Sequence, residues 1–211
     1  HSMGGLLTSL QIRNGGDQLW FKIHDTSIDD LEVPESHRGA LQELVYFQAN
    51  PDIKRAIFIC APHRGSSFAN NPLGALGSFL IDKSMMLRTG RPRLQGADTK
   101  IKGSILEHPT DGIHDLEVHS EVLEEIVKLP VGSNTAYHSI VGDRGKNTPL
   151  PQSSDGMVDY WSAHIDGAAS EHIVPSAHSG AASHAATIRE IRRILSIHAG
   201  IQPAPSPGRT R

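Results

Sequence analysis

The alternation of apolar and polar residues along the chain predicts short strands separated by helices. Apolar segments bounded by turn residues predict strands at Ala56 to Ala61, Thr135 to Val141 and Glu171 to Pro175. Apolar residues at helical spacing predict helices over Gly4 to Arg13, Glu35 to Phe47, Ser120 to Leu129 and Thr187 to Ile197. Strands that alternate with helices form parallel sheets, so the pattern predicts an α/β fold with a mostly parallel sheet and helices on both faces.

The connection between the first two predicted strands is unusually long. It runs from Ser67 to Pro130, and at about 60 residues it greatly exceeds an ordinary connection. Its stretch at 72–81 is apolar and rich in glycine, which suits a lid over an acyl-binding cleft and equally suits a packed helical insertion. We therefore predict one domain over residues 1–200, with a helical, lid-like insertion at 67–130. The segment 201–211 lacks apolar periodicity, which predicts that it is a disordered tail.

The start of the chain carries the first chemical signal. Ser2 followed by Gly4 matches the second half of a Gly-x-Ser-x-Gly nucleophile elbow, in which a strand turns sharply into a helix at the serine. Small residues two positions from the serine let such a turn close, and the first glycine would lie just before residue 1. The same residues also fit a helix N-cap serine or a cloning remnant. On the catalytic interpretation Ser2 is a nucleophile, and the backbone N–H of Met3 supplies one donor of an oxyanion hole.

A serine nucleophile needs a histidine base and an acid that orients the base. In the chain order Ser, acid, His, the sequence offers Asp155 in a polar loop after the second predicted strand. It then offers His178 in a small-residue loop after the third strand. Asp159 is a second carboxylate four residues beyond Asp155 and competes with it for the role of the acid. The predicted triad is Ser2, Asp155 and His178.

Composition and charge exclude several other classes of protein. The apolar content of 37% supports a real core, and the net charge is only −3. Lys and Arg are scattered without aromatic interleaving, which argues against nucleic acid as a partner. No apolar run approaches the roughly 20 residues needed to cross a bilayer, so no transmembrane segment is predicted.

Cysteine and histidine usage predicts neither a disulfide nor a metal site. Cys60 is the single cysteine and lies in an apolar segment, which is typical of a small buried hydrophobe. His172, His178 and His184 recur every six residues, a spacing that does not bring three imidazoles to one point. We therefore predict no metal and no other cofactor. Arg64, which follows the first predicted strand, is expected to pair with a carboxylate and hold its loop.

Segments along most of the chain resemble a bacterial lipase-like branch of the α/β-hydrolases. They are Ser2-Met-Gly-Gly, Ile57-Phe-Ile-Cys-Ala-Pro-His-Arg-Gly-Ser66, Tyr137-His-Ser-Ile-Val-Gly-Asp143, Ser154-Asp-Gly-Met-Val-Asp-Tyr-Trp-Ser-Ala-His164 and Glu171 to His178. The resemblance extends from Ser2 to about Leu195. It implies the α/β-hydrolase fold and a serine hydrolase that cleaves small-molecule or lipid carboxylic esters through an acyl-enzyme. The chain departs from the family at Asp159, which stands where a proline is usual.

The resemblance also carries an expectation about what precedes the elbow. A complete α/β-hydrolase places about five strands before the nucleophile, together with the loop that donates the second oxyanion N–H. We therefore expect this chain to be the C-terminal part of a larger hydrolase, with its N-terminal strands missing. Two alternatives use the same fold: a non-catalytic binding protein, and an acyltransferase or amidase with the same triad. A binding module has no chemical need for Ser, Asp and His in that order, which favours the enzyme.

Overall fold

The computed structural model describes residues 1–23, 26–31, 33–67 and 121–201. The strands in these ranges are β1 (Arg55–Ile59), β2 (Ala136–Gly142) and β3 (Ser170–Val174). The helices are α1 (Met3–Gln11), α2 (Asp17–Ile23), α3 (Glu35–Val45), α4 (Glu121–Lys128), α5 (Tyr160–Ala163), α6 (His178–Ala181) and α7 (Ala185–His198). Short 3₁₀ turns occupy Ile28–Asp30 and Leu150–Gln152.

The three strands form one parallel sheet in the order β1-β2-β3. Ile140 of β2 is the register partner of Ile59 on one side and of His172 on the other. The predicted parallel arrangement is therefore confirmed. β1 ends before the predicted boundary at Ala61, because the backbone of Cys60 adopts a φ of 47° and leaves the extended conformation.

Helices cover both faces of this sheet, as the sequence predicted. On one face, Phe58 of β1 lies in a buried cluster with Ile12, which follows α1. The opposite face carries Ser170 of β3, whose hydroxyl donates to Glu190 of α7 at 3.2 Å. The described residues therefore form an α/β layer structure whose strand ends place the loops of the candidate site.

A second apolar cluster joins α2 to α3. It is formed by four buried side chains from α2, the following 3₁₀ turn and α3: Trp20, Ile28, Leu31 and Val45. The indole N–H of Trp20 donates to the carbonyl of Thr26 at 2.7 Å, so the polar atom of this aromatic residue is satisfied. This cluster holds α2 and α3 together.

Some predictions fall on residues outside the described ranges. The lid-like insertion at 67–130 lies outside them apart from Ser67 and residues 121–130, where α4 confirms the predicted helix over Ser120 to Leu129. The predicted disordered tail lies outside them from residue 202 onward. Among the helices that the structure describes, none has the length and apolarity to cross a membrane.

Candidate active site

Ser2 lies at a sharp corner between the end of β1 and the start of α1. Its backbone N–H donates to the carbonyl of Ile59 at 3.0 Å, and α1 begins at the next residue. Its backbone angles are φ 54° and ψ −138°, a region that residues with a Cβ rarely occupy. The Ser2 side chain makes no capping hydrogen bond to α1. Ser2 therefore occupies the N-cap position without performing the usual function of an N-cap serine.

The glycine that lets α1 approach β1 is Gly5, not Gly4. A Cβ placed on Gly5 would lie 2.4 Å from the Cβ of Ala61 and 3.5 Å from a ring carbon of Phe58. A Cβ on Gly4 would meet open space. The elbow pattern pointed to Gly4 as the small residue that lets the turn close, and that role stays a prediction. The close contact lies one residue further along, where the helix faces the strand end.

The structure brings Ser2, Asp155 and His178 together in one hydrogen-bonded chain. Nε2 of His178 lies 2.9 Å from Oγ of Ser2, and Nδ1 of His178 lies 2.7 Å from Oδ2 of Asp155. The backbone N–H of His178 also donates to the carbonyl of Asp155 at 3.1 Å. The side chains of the acid and the base are both buried, with residue exposures of 2% and 6%. Because Nδ1 faces a carboxylate, the imidazole has its acceptor nitrogen toward Ser2.

Asp155 is held in its orientation by its own turn. Its Oδ1 accepts from the backbone N–H groups of Met157 at 2.9 Å and Val158 at 2.7 Å. Burial alone would raise the pKa of the Asp155 carboxyl, but the hydrogen bonds from His178, Val158 and Met157 outweigh it and hold that pKa below its ordinary value. Asp155 is therefore ionised and aimed at His178.

Gly142 allows this turn to pack against the end of β2. A Cβ on Gly142 would lie 2.8 Å from the Cβ of Asp155. The competing carboxylate, Asp159, instead occupies the N-cap position of α5, and its carbonyl accepts from the N–H of Ser162 at 3.0 Å. The geometry therefore distinguishes the two carboxylates, and it is Asp155 that contacts His178.

His178 lies at the first position of a short helix, where the sequence predicted a loop. The imidazole of His1 packs against it, with ring centroids 4.8 Å apart, and Nε2 of His1 lies 3.2 Å from the His178 carbonyl. Small residues such as Gly180 and Ala181 follow His178 and were interpreted as loop residues. The single turn of α6 still presents the imidazole toward Ser2.

Met3, the predicted oxyanion donor, is the first residue of α1. Backbone N–H groups of the first helical turn lack intrahelical acceptors, and the helix dipole favours negative charge at this end. Met3 directly follows Ser2, so its N–H belongs to this first turn, as the expected oxyanion donor requires.

Cys60 lies beside Asp155 and His178. A side-chain ligand atom of each of Cys60, Asp155 and His178 lies within 4.8 Å of the others, and this is the one such potential metal-binding group among the described residues. Burial, and then the charge of Asp155, raises the pKa of the Cys60 thiol to about 12, so the sulfur stays protonated. The other two donors are engaged with each other through a proton. These atoms therefore fit a hydrogen-bonded proton-transfer site better than a metal centre.

The loop after β1 is tied to the segment that follows Asp155. Arg64 forms an ion pair with Asp166 at 3.4 Å and donates to the carbonyl of His164 at 2.6 Å, so the expected pairing of this arginine is confirmed.

His63 is buried with its ring edge-on to Phe58, at 4.7 Å between centroids. Burial, followed by the charges of two nearby arginines, lowers the pKa of His63 to about 3. Neither the burial of His63 nor this connection between loops was predicted, because residue spacing carries no signal for either.

Neither a scan against models of protein families nor a search of curated proteins returned a match to this chain. The assignment of a function therefore depends on the geometry of the site.

Proposed function

We propose that this protein is a serine hydrolase of the α/β-hydrolase fold that cleaves carboxylic esters through an acyl-enzyme on Ser2. One observation carries the proposal: Ser2, His178 and Asp155 form an uninterrupted hydrogen-bond chain with separations of 2.9 and 2.7 Å. Those distances match the separations that proton transfer requires between nucleophile, base and acid. The positive φ of Ser2 adds support, because strained backbone at a nucleophile is a recurring feature of this chemistry.

Each residue has a defined step in the proposed reaction. Oγ of Ser2 attacks the ester carbonyl while Nε2 of His178 takes the hydroxyl proton. The carbonyl oxygen becomes an oxyanion that the N–H of Met3 stabilises, and the carboxylate of Asp155 stabilises the imidazolium. The C–O bond to the alcohol then breaks, and His178 returns the proton to the leaving alcohol. A water molecule then attacks the acyl carbon while Nε2 of His178 takes its proton. The bond from the acyl carbon to Oγ of Ser2 breaks, His178 returns the proton to Oγ, and the carboxylic acid product leaves.

Turnover of a short p-nitrophenyl ester tests this proposal. We expect Ser2→Ala to lower turnover by several orders of magnitude, because the acyl-enzyme cannot form. Ser179→Ala is the matched control, since Ser179 adjoins the base but is exposed. Equal turnover in Ser2→Ala and in the unmodified protein would contradict the proposal.

A further inference from the structure

A single peptide group connects Ser66 to the acid of the proposed triad. The carbonyl of Met157 and the N–H of Val158 belong to the same peptide unit. That carbonyl accepts a hydrogen bond from Oγ of Ser66, and that N–H donates to Oδ1 of Asp155 at 2.7 Å. The hydrogen bonds therefore continue without a break from Ser66 through the peptide and Asp155 to the base.

Hydrogen bonds that are linked in such a chain strengthen one another. A donor on a peptide carbonyl polarises the amide, so that the N–H of the same peptide becomes a better donor. Ser66 is only 9% exposed, so bulk water has little access to replace its hydroxyl. The hydroxyl of Ser66 thus fixes the orientation of the 157–158 peptide and makes its N–H a stronger partner for the carboxylate.

The loop after β1, which carries Ser66, is also joined to α5 by hydrogen bonds of its own. The backbone N–H of Arg64 donates to Oγ of Ser162 at 3.1 Å, and Oγ of Ser162 donates to the carbonyl of Gly65 at 2.5 Å. These bonds join backbone groups before Ser66 to α5, and they contact neither the Ser66 hydroxyl nor the 157–158 peptide.

We propose that Ser66 is a positioning residue for Asp155, acting through the peptide that joins Met157 to Val158. This inference rests on the proposed function, because it assigns Asp155 as the acid of a working triad. Ser66 acts through the Met157 carbonyl and not directly on the reacting atoms. It keeps one oxygen of the carboxylate fixed so that the other stays aimed at His178.

Kinetics of two serine variants separate positioning from simple bracing of the loop. Ser66→Ala should lower kcat about tenfold at unchanged KM, which is the size expected for one net hydrogen bond. The acid limb of its pH profile should move to lower pH, because a less well aimed carboxylate stabilises the imidazolium of His178 less. Ser162→Ala removes hydrogen bonds between the loop after β1 and α5 without touching the peptide at 157–158. It should lose thermal stability and retain kcat and the pH profile. Ser66→Thr keeps a hydroxyl and should therefore show the kcat and the pH profile of the unmodified protein.

Nuclear magnetic resonance provides a readout that does not depend on ester turnover. In the full chain with labelled histidine, the low-field proton on Nδ1 of His178 reports its hydrogen bond to Asp155. We expect this resonance to move upfield in Ser66→Ala and to stay in place in Ser162→Ala. If the unmodified protein turned over no ester, the proposed function would fail while this resonance still tested the positioning by Ser66. The inference would be overturned if the resonance or the acid limb of the pH profile did not move in Ser66→Ala. It would also be overturned if Ser66→Ala and Ser162→Ala lost kcat to the same extent.

Discussion

Adding one methyl group at Gly5 should displace α1, the helix that begins directly after Ser2. The Cβ of Gly5→Ala would lie 2.4 Å from the Cβ of Ala61, whereas carbon atoms in contact prefer about 3.5–4.0 Å. The helix must therefore shift by about 1 Å or more, which costs about 1–3 kcal/mol of folding free energy. Because α1 begins directly after Ser2, the same shift moves the hydroxyl relative to His178. A misplacement of about 1 Å costs about a hundredfold in turnover.

Gly4→Ala is the matched control for this substitution. A Cβ at Gly4 meets open space, and alanine favours the helix over glycine by about 0.5–1 kcal/mol. Urea unfolding and ester turnover should therefore show a stable, active Gly4→Ala and an impaired Gly5→Ala. The double variant Gly5→Ala with Ala61→Gly removes the clashing methyl group and should recover most of both losses. If Gly5→Ala matched Gly4→Ala in stability and turnover, the reasoning on the helix contact would be refuted.

Two further predictions concern charged and titratable groups. Asp155→Asn should lower ester turnover about ten-thousandfold, because an amide imposes the wrong tautomer on the base, while Asp159→Asn should cost far less; the opposite ranking would move the acid to Asp159. The folded-state pKa of His63 lies at about 3, below the ordinary 6.5, so the unfolded chain binds this proton first and stability falls as the pH drops from 6.5 toward 3. Each pH unit between the two pKa values corresponds to about 1.4 kcal/mol of folding stability. In urea unfolding, the stability lost between pH 7 and pH 4.5 should therefore be about 2–3 kcal/mol smaller in His63→Phe than in the unmodified protein. Equal pH dependence in both proteins would show that His63 is not the group responsible.

The elements of the sheet could be predicted because their signals are local. The strand around Phe58 alternates with helices in a pattern that fixes a parallel sheet, and all three strands lie within two residues of their predicted bounds. α2 was missed, because a seven-residue helix after two glycines carries little periodicity. Its Trp20 is buried by tertiary contacts, which local pattern does not encode.

The three triad side chains could be proposed from their order and from the strands that precede them. Which neighbours position them could not be predicted. Gly5 and Ser66 both act through contacts with residues distant in sequence, Ala61 for the first and Met157 for the second. The helical position of His178 was also missed, because the three small residues that follow it in the same turn resemble a loop in composition.

The most direct test of the central claim is covalent labelling of Ser2. A fluorophosphonate probe reacts with a serine only where a base activates the hydroxyl and the site accepts a tetrahedral oxyanion. We expect peptide mass mapping of the labelled protein to place the adduct on Ser2, and we expect Asp155→Asn and His178→Ala to suppress it. Labelling of Ser2 to the same extent in all three proteins, or no adduct on Ser2 in the unmodified protein, would contradict the assignment of this triad.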